Sequence, residues 1–170
     1  MTKTSSTKAA ISDELERIEE DCIHSSKAQF NAGARWARYH LGLGVPAVLL
    51  SGLAGTAFLR DQPEIAGAMS MAVALLTALS TFLKPSERAS SHKSSGDQYL
   101  TLRNDARVLR MIKLEASFDD AAAVANLDEI TKRRNELNQA SAQASRSDFV
   151  KARQGIDEGE AGHRVDKGNT

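Results

Sequence analysis

LGLGVPAVLLSGLAGTAFL (residues 41–59) is an apolar block that decides the fold of this 170-residue chain, together with IAGAMSMAVALLTALSTFL (residues 65–83). Each block has 19 residues and contains no Asp, Glu, Lys, Arg, His, Asn or Gln. At about 1.5 Å per helical residue, such a block spans about 28 Å, close to the ~30 Å hydrocarbon core of a bilayer. The short loop 60–64 joins the blocks. The pattern predicts an all-α membrane protein built on a two-helix transmembrane hairpin.

An alternative is a helical hairpin buried in a soluble bundle, whose apolar surface amphipathic neighbours would have to cover on all sides. The other helices expected from this sequence have narrow apolar stripes, so they do not supply that cover. A signal peptide is excluded because forty mostly polar residues precede the first block and a second apolar block follows it. The membrane interpretation therefore fits the sequence better.

The charges that flank the blocks predict their orientation. Basic residues lie within about 15 residues of the outer ends of both blocks, where cytoplasmic flanks are enriched in Lys and Arg. The loop carries only Arg60, which Asp61 and Glu64 offset. We therefore expect a multi-pass membrane protein with both termini in the cytoplasm and no domain outside it. The expected interfacial anchors are Arg35, Trp36, Arg38, Tyr39 and Lys84; Trp36 and Tyr39 could instead pack on a soluble helix.

Each block carries small or hydroxyl-bearing residues along one side of its helix. In the first block these are Gly44, Ala47, Ser51 and Gly55, with Ala54 beside them. In the second block they are Ser70, Ala74, Thr77 and Thr81, aligned with Ala66. Membrane helices associate by close backbone approach and interhelical hydrogen bonds, so such faces are expected to be helix contacts. Two interpretations stay open: the faces close the hairpin on itself, or they line a path between several copies.

Composition limits the remaining chemistry. The chain has 22 basic and 22 acidic residues, so no overall field draws it to nucleic acid. The single cysteine, Cys22, excludes an internal disulfide. The sequence has no phosphate-binding glycine loop, CxxC pair, HExxH pair or nucleophile elbow, and its histidines have no ligand spacing. We therefore expect no enzyme activity, no cofactor, no metal site and no nucleic-acid partner.

Outside the blocks we expect a disordered tail over residues 1–10, a cytoplasmic amphipathic helix over 11–40, a cytoplasmic helical region over 84–154 and a second disordered tail over 155–170. Apolar residues in both helical regions recur at alternating spacings of four and three, which is typical of coiled coils. Contacts between copies are therefore expected at Leu15, Ile18, Leu127, Ile130 and Leu137.

Smaller features complete this outline. Pro46 is expected to kink or restart the first membrane helix, and the Ser-rich segment 86–96 could form a flexible neck. The sequence SFDD at 117–120 predicts a turn. The basic triplet 132–134 is either a solvated face or a contact for an anionic lipid or nucleotide.

Several groups of residues carry a resemblance to a known family. Before the membrane blocks these are Phe30, Trp36, Tyr39 and His40; after them they are Lys84, Pro85, His92, Gly96, Tyr99 and Leu102. A further patch is the helix 127–137, which starts LDEI, followed by FVKARQGIDEGE over 149–160. With its layout, the chain resembles the SLATT family, two-transmembrane effectors associated with SMODS nucleotidyltransferases and SLOG proteins.

The resemblance implies an effector of a bacterial conflict or antiviral-defence system that oligomerises and permeabilises the inner membrane. It also implies a separately encoded sensor partner, dependent in some systems on a nucleotide signal. A rival interpretation from another functional class is a membrane anchor or scaffold, which recruits a soluble partner through its cytoplasmic helices and forms no pore.

Overall fold

The computed structural model describes residues 2–116 and 119–162, and this part of the chain consists of helices joined by short turns, without a strand. Its elements are α1 (Thr2–Leu59), α2 (Pro63–Leu83), α3 (Pro85–Val108), a π-helical turn (Leu109–Lys113), α4 (Leu114–Ala116), α5 (Asp120–Ala140) and α6 (Arg146–Asp157). The all-α class is confirmed, and so are two helices long and apolar enough to cross a membrane.

Helix α1 is longer than the sequence pattern indicates. It begins at Thr2, inside the segment expected to be a tail, and it continues through Pro46 to Leu59. The segment TKTSSTKAA (residues 2–10) contains no Pro or Gly that would break a helix. Lys8 within it donates a 2.9 Å hydrogen bond to Glu115. At the other end, α6 extends to Asp157 and a turn follows; residues 163–170 of the expected tail lie outside the described residues.

The chain divides into two compact units. We call Gly33–Ser90 the apolar unit, because it holds both apolar blocks. Met1–Ala32 and Ser91–Thr170 together form the bundle unit.

The bundle unit has a main apolar core built from α1, α3, α4, α5 and the π-helical turn. Leu15 and Ile18 are fully buried, and Leu102 retains 2% exposure. Around them lie Ile11, Cys22, Tyr99, Ala106, Leu109, Leu114, Ala123 and Ile130, with Leu127 and Leu137 partly buried against the cluster. A smaller cluster consists of Ala28, Ala32, Ala144 and Ala152. The burial of these side chains is the main stabilising contribution to this unit.

The five residues expected to join copies of the chain belong to this intramolecular core. Leu15, Ile18 and Ile130 are buried, and Leu127 and Leu137 pack against the cluster. A heptad-like stripe indicates that a face is buried, but it does not indicate which chain covers it. The expectation of contacts between copies at these positions is therefore corrected, because helices of the same chain cover them.

Helix α3 replaces the flexible neck expected over residues 86–96. Within the bundle unit, Ser95 and Gly96 are buried against α1, and a Cβ atom at Gly96 would lie 2.8 Å from the Phe30 ring. The small residues that suggest flexibility therefore permit close packing of two helices. Pro85 begins the helix, a position that proline tolerates because the first helical N–H groups have no intrahelical acceptor.

Polar contacts set the ends and partners of the other helices. Asp119 caps α5; Ser117 and Phe118 of the expected turn lie outside the described residues. Ser145 and Asp148 form a capping box at the start of α6, whose first helical residue is Arg146. Arg110 donates two hydrogen bonds to Glu19, at 2.6 and 3.2 Å, across the edge of the core.

The apolar unit reverses the chain between α1 and α2 through a Schellman motif. Asp61 has a left-handed backbone (φ 55°), its N–H donates to the Phe58 carbonyl, and the Gln62 N–H donates to the Ala57 carbonyl. Pro63 then occupies the first turn of α2. Helix α2 therefore starts at Pro63, two residues before the predicted position, and ends at the predicted Leu83.

Candidate functional site

Large apolar side chains are exposed along both helices of the apolar unit. They are Tyr39, Leu41, Val45, Val48, Leu49, Leu53, Phe58, Leu59, Ile65, Met71, Leu75, Leu79 and Phe82. Only 11% and 6% of the two apolar windows are buried inside the chain. Continuous apolar surface of this extent is unfavourable in water, at about 25 cal/mol per Å², and is typical of a surface that contacts a membrane or a partner protein. We call this surface the apolar belt.

A second line of residues, on α1 and α2, is buried or half-buried within the apolar unit. Ala54, Ala57 and Ala66 are buried, while Val73 and Leu76 are half-buried. Two of the buried alanines are on α1 and the third is on α2. Their small side chains allow close approach of helix backbones.

A groove of about 570 Å³ lies beside this line, near the loop that joins α1 to α2. Its lining includes four small residues, Ser51, Gly55, Gly67 and Ser70, of which Gly67 is outside the predicted faces, together with Ala54, Phe58, Pro63, Ala66 and Val73. A Cβ atom built on Gly55 or Gly67 would meet no atom within 4 Å. The structure therefore brings Ser51, Gly55 and Ser70 of the predicted faces together around one open groove.

The remaining predicted residues divide between two surroundings. Gly44 and Ala47 are half-buried on α1. Ala74, Thr77 and Thr81 are exposed on α2; Thr77 lies about 40° around the helix from Val73, and Thr81 and Ala74 lie about 80° and 100° from it. Their exposure in the single chain leaves both sequence interpretations of these faces open. Together with the four small groove residues, these three residues form what we call the small-residue face.

Aromatic and basic side chains meet at the end of the apolar unit opposite the loop. The Trp36 and Tyr39 rings are 5.5 Å apart in an edge-to-face arrangement. The Arg35 and Arg88 guanidinium carbons lie 5.5 and 4.7 Å from the centre of the Trp36 ring, within the range of cation–π attraction. The predicted anchors Arg38 and Lys84 are exposed. Arg88 is not among the predicted anchors, although it follows Lys84 by one helical turn.

The bundle unit carries a separate groove of about 820 Å³ between α1, α3, α5 and α6. Arg134, Arg146 and Arg153 line it, and so do Glu20, Asp21, Cys22, His24, Ser25, Tyr99, Asn138, Phe149, Val150 and Asp157. Burial, reinforced by the Asp21 charge, raises the pKa of the Cys22 thiol to about 11. Burial also raises the pKa of Tyr99, whose hydroxyl donates a 2.7 Å hydrogen bond to Asn138.

The basic triplet on α5 contacts carboxylates of the same unit. Arg133 lies 2.8 Å from Asp105, and Arg134 lies 3.2 Å from Asp21. Ion pairing of this kind favours the solvated-face interpretation of the triplet over a dedicated anion contact. Within residues 2–116 and 119–162, no group of three His, Cys, Asp or Glu side chains is placed to hold a metal ion.

Comparisons of the chain with protein-family models, with curated proteins and with solved structures find no match.

Proposed function

We propose that the chain is an integral protein of a bacterial inner membrane, crossing it twice as a helical hairpin. The apolar belt carries this proposal, because two helices with most of their large side chains exposed need a bilayer around them. The basic flanks of α1 and α2 and the Asp61 and Glu64 carboxylates of the loop favour cytoplasmic termini.

Within the membrane, the proposed activity is permeabilisation by an oligomer. The small-residue face supports this step, because the Ala74, Thr77 and Thr81 side chains are exposed and available to other helices. Close approach along such a face gains packing and hydroxyl hydrogen bonds, which drive helix association in lipid. Oligomers joined through this face would place Ser70, Thr77 and Thr81 along the path for water and ions.

The biological setting is proposed from the resemblance to the SLATT family. On that basis the chain acts as an effector of bacterial conflict or antiviral defence, and its membrane activity arrests or kills the cell. The proposed trigger is a separately encoded sensor, which in some systems of this kind depends on a nucleotide signal. The other expected partners are membrane lipids and further copies of the chain.

A membrane scaffold is the second candidate, and one observation favours it. Phe149 and Val150 on α6 are 46% and 60% exposed beside the bundle groove, where a soluble partner has apolar surface to cover. In this function the membrane helices anchor the chain and the bundle unit recruits the partner.

Dye release from liposomes containing the purified protein tests the pore proposal. At a high protein-to-lipid ratio, which favours the oligomer in place of the sensor, we expect the parent to release dye and Thr77→Leu to release at least tenfold less, because the added bulk blocks close helix approach. Ala68→Leu is the matched control, since it adds the same side chain at an exposed alanine about 180° from Thr77 on α2.

The pattern of release separates the candidates. Equal release by the parent and Thr77→Leu would refute the role of the small-residue face. Intact liposomes under every condition, including addition of a partner captured by the bundle groove, would favour the scaffold.

A further inference from the structure

Charge is distributed unevenly along the apolar unit. Segments 33–40 and 84–90 carry four Arg or Lys residues and a single carboxylate, Glu87, which Lys84 pairs at 3.1 Å. The opposite end has Arg60 with Asp61 and Glu64. One end of the unit therefore attracts anions and the other does not.

Trp36 positions a guanidinium at the basic end without neutralising it. The Arg88 side chain stacks over the indole at 4.7 Å, and it is exposed. Among the described residues no carboxylate lies within 4.0 Å of its nitrogen atoms. A cation–π contact leaves the guanidinium N–H groups at the edge available as donors, and their planar fork matches a phosphate. Arg38 is also exposed and has no carboxylate partner among the described residues.

We infer that Arg88, stacked on Trp36, binds the phosphate of an anionic phospholipid headgroup, with Arg38 and Lys84 adding to the attraction. This inference rests on the proposed membrane insertion. A lipid fits better than a soluble anion because the apolar belt begins beside the basic cluster: Leu41 is 61% exposed and Phe82 is 83% exposed. Acyl chains would lie along these side chains while the headgroup reaches Arg88.

The chain has one tryptophan, so its fluorescence reports on this site alone. The test reconstitutes the full chain in liposomes and compares quenching of Trp36 by brominated phosphatidylglycerol and brominated phosphatidylcholine. The ratio of the two gives the preference of the site for the anionic lipid. We expect a preference in the parent that falls about fivefold in Arg88→Gln, which corresponds to about 1 kcal/mol per cation near an anionic surface. Arg60→Gln, at the opposite end, should keep the parental ratio.

Three results would count against the inference. Equal quenching by both lipids in the parent would refute anionic selectivity and leave membrane insertion intact. Loss of the preference on addition of inorganic phosphate, at constant ionic strength, would show that the site takes a free anion rather than a lipid. Absence of quenching by either lipid would place Trp36 away from the bilayer and contradict the proposed function itself.

Discussion

The surroundings of Cys22 raise the pKa of its thiol. Cys22 begins as one member of an apolar stripe on α1, and the fold buries it to 1% exposure beside Tyr99 and Leu102. Burial in apolar surroundings disfavours the charged thiolate, and the neighbouring Asp21 carboxylate disfavours it further. The residue is therefore a structural core thiol, although it borders the bundle groove.

We predict that the Cys22 thiol is unreactive in the folded protein. Because its pKa is about 11 and a thiolate is the reactive species, alkylation by iodoacetamide at pH 8 should be at least 100-fold slower than for the denatured chain. Mass spectrometry of the modified protein measures both rates, with Cys22→Ala as the blank. Alkylation at the rate of a free thiol would contradict the buried position.

The raised pKa of Cys22 also makes the free energy of unfolding depend on pH. The folded pKa of about 11 lies above the ordinary value of 9.0, so the contribution of this thiol is fully present below pH 9.0. It is lost as the pH rises from 9.0 towards 11, because the unfolded chain ionises first. Cys22→Ala should lose less stability across this range than the parent.

At the scale of elements, the close contact between α1 and α3 depends on a missing side chain. Gly96 faces the Phe30 ring so closely that even a Cβ atom would lie 2.8 Å from it. The buried His92 ring, one turn earlier, lies 2.6 Å from the Gln29 side chain, and Gln29 donates to the Ala142 carbonyl at 2.8 Å. Close packing and a hydrogen bond therefore hold α1 and α3 together in the same region.

Gly96→Leu should therefore destabilise the bundle unit. The new side chain displaces the Phe30 ring, and overpacking of this kind costs about 2 kcal/mol. Chemical denaturation of the full chain in detergent, followed by circular dichroism, measures the change. Gly52→Leu is the control, since no atom lies within 4 Å of a Cβ at that position. Phe30→Ala in the Gly96→Leu background should restore part of the loss; no loss in Gly96→Leu would contradict the packing.

At the scale of the whole molecule, the two units bury their apolar residues in different ways. The bundle unit encloses Leu15, Ile18 and Leu102 within its own helices, whereas the apolar unit leaves residues such as Leu75 and Phe82 exposed. A single solvent does not suit both surfaces. The contrast is what we expect of a chain whose two units occupy water and lipid.

Labelling of single cysteines tests the proposed orientation in intact bacteria. In a Cys22→Ala background that also carries Thr77→Leu, so that the chain itself does not open the membrane, a membrane-impermeant maleimide should label Asp61→Cys in the loop without permeabilisation. It should label Ser94→Cys, an exposed position on α3, only after the inner membrane is opened. Labelling of both positions in intact cells, or of position 94 alone, would exclude the proposed topology.

Local patterns were sufficient for much of this architecture. The uncharged runs indicated two long apolar helices, whose ends at Leu59 and Leu83 are as predicted. The short loop 60–64 between the runs also indicated the reversal of the chain between them. These features depend on composition and on backbone chemistry close in sequence, and therefore distant contacts do not change them.

The partners of each face depended on contacts between residues far apart in the chain. Periodicity marked Leu15 and Ile130 as buried, but the fold showed that the same chain covers them. Small side chains over 86–96 predicted a flexible segment, whereas in the structure Gly96 packs closely against Phe30 where two helices touch. Likewise, the stacking of Arg88 on Trp36 joins residues 52 positions apart. Sequence patterns describe which surfaces are suited to contact, whereas the contacts themselves form between segments that only folding brings together.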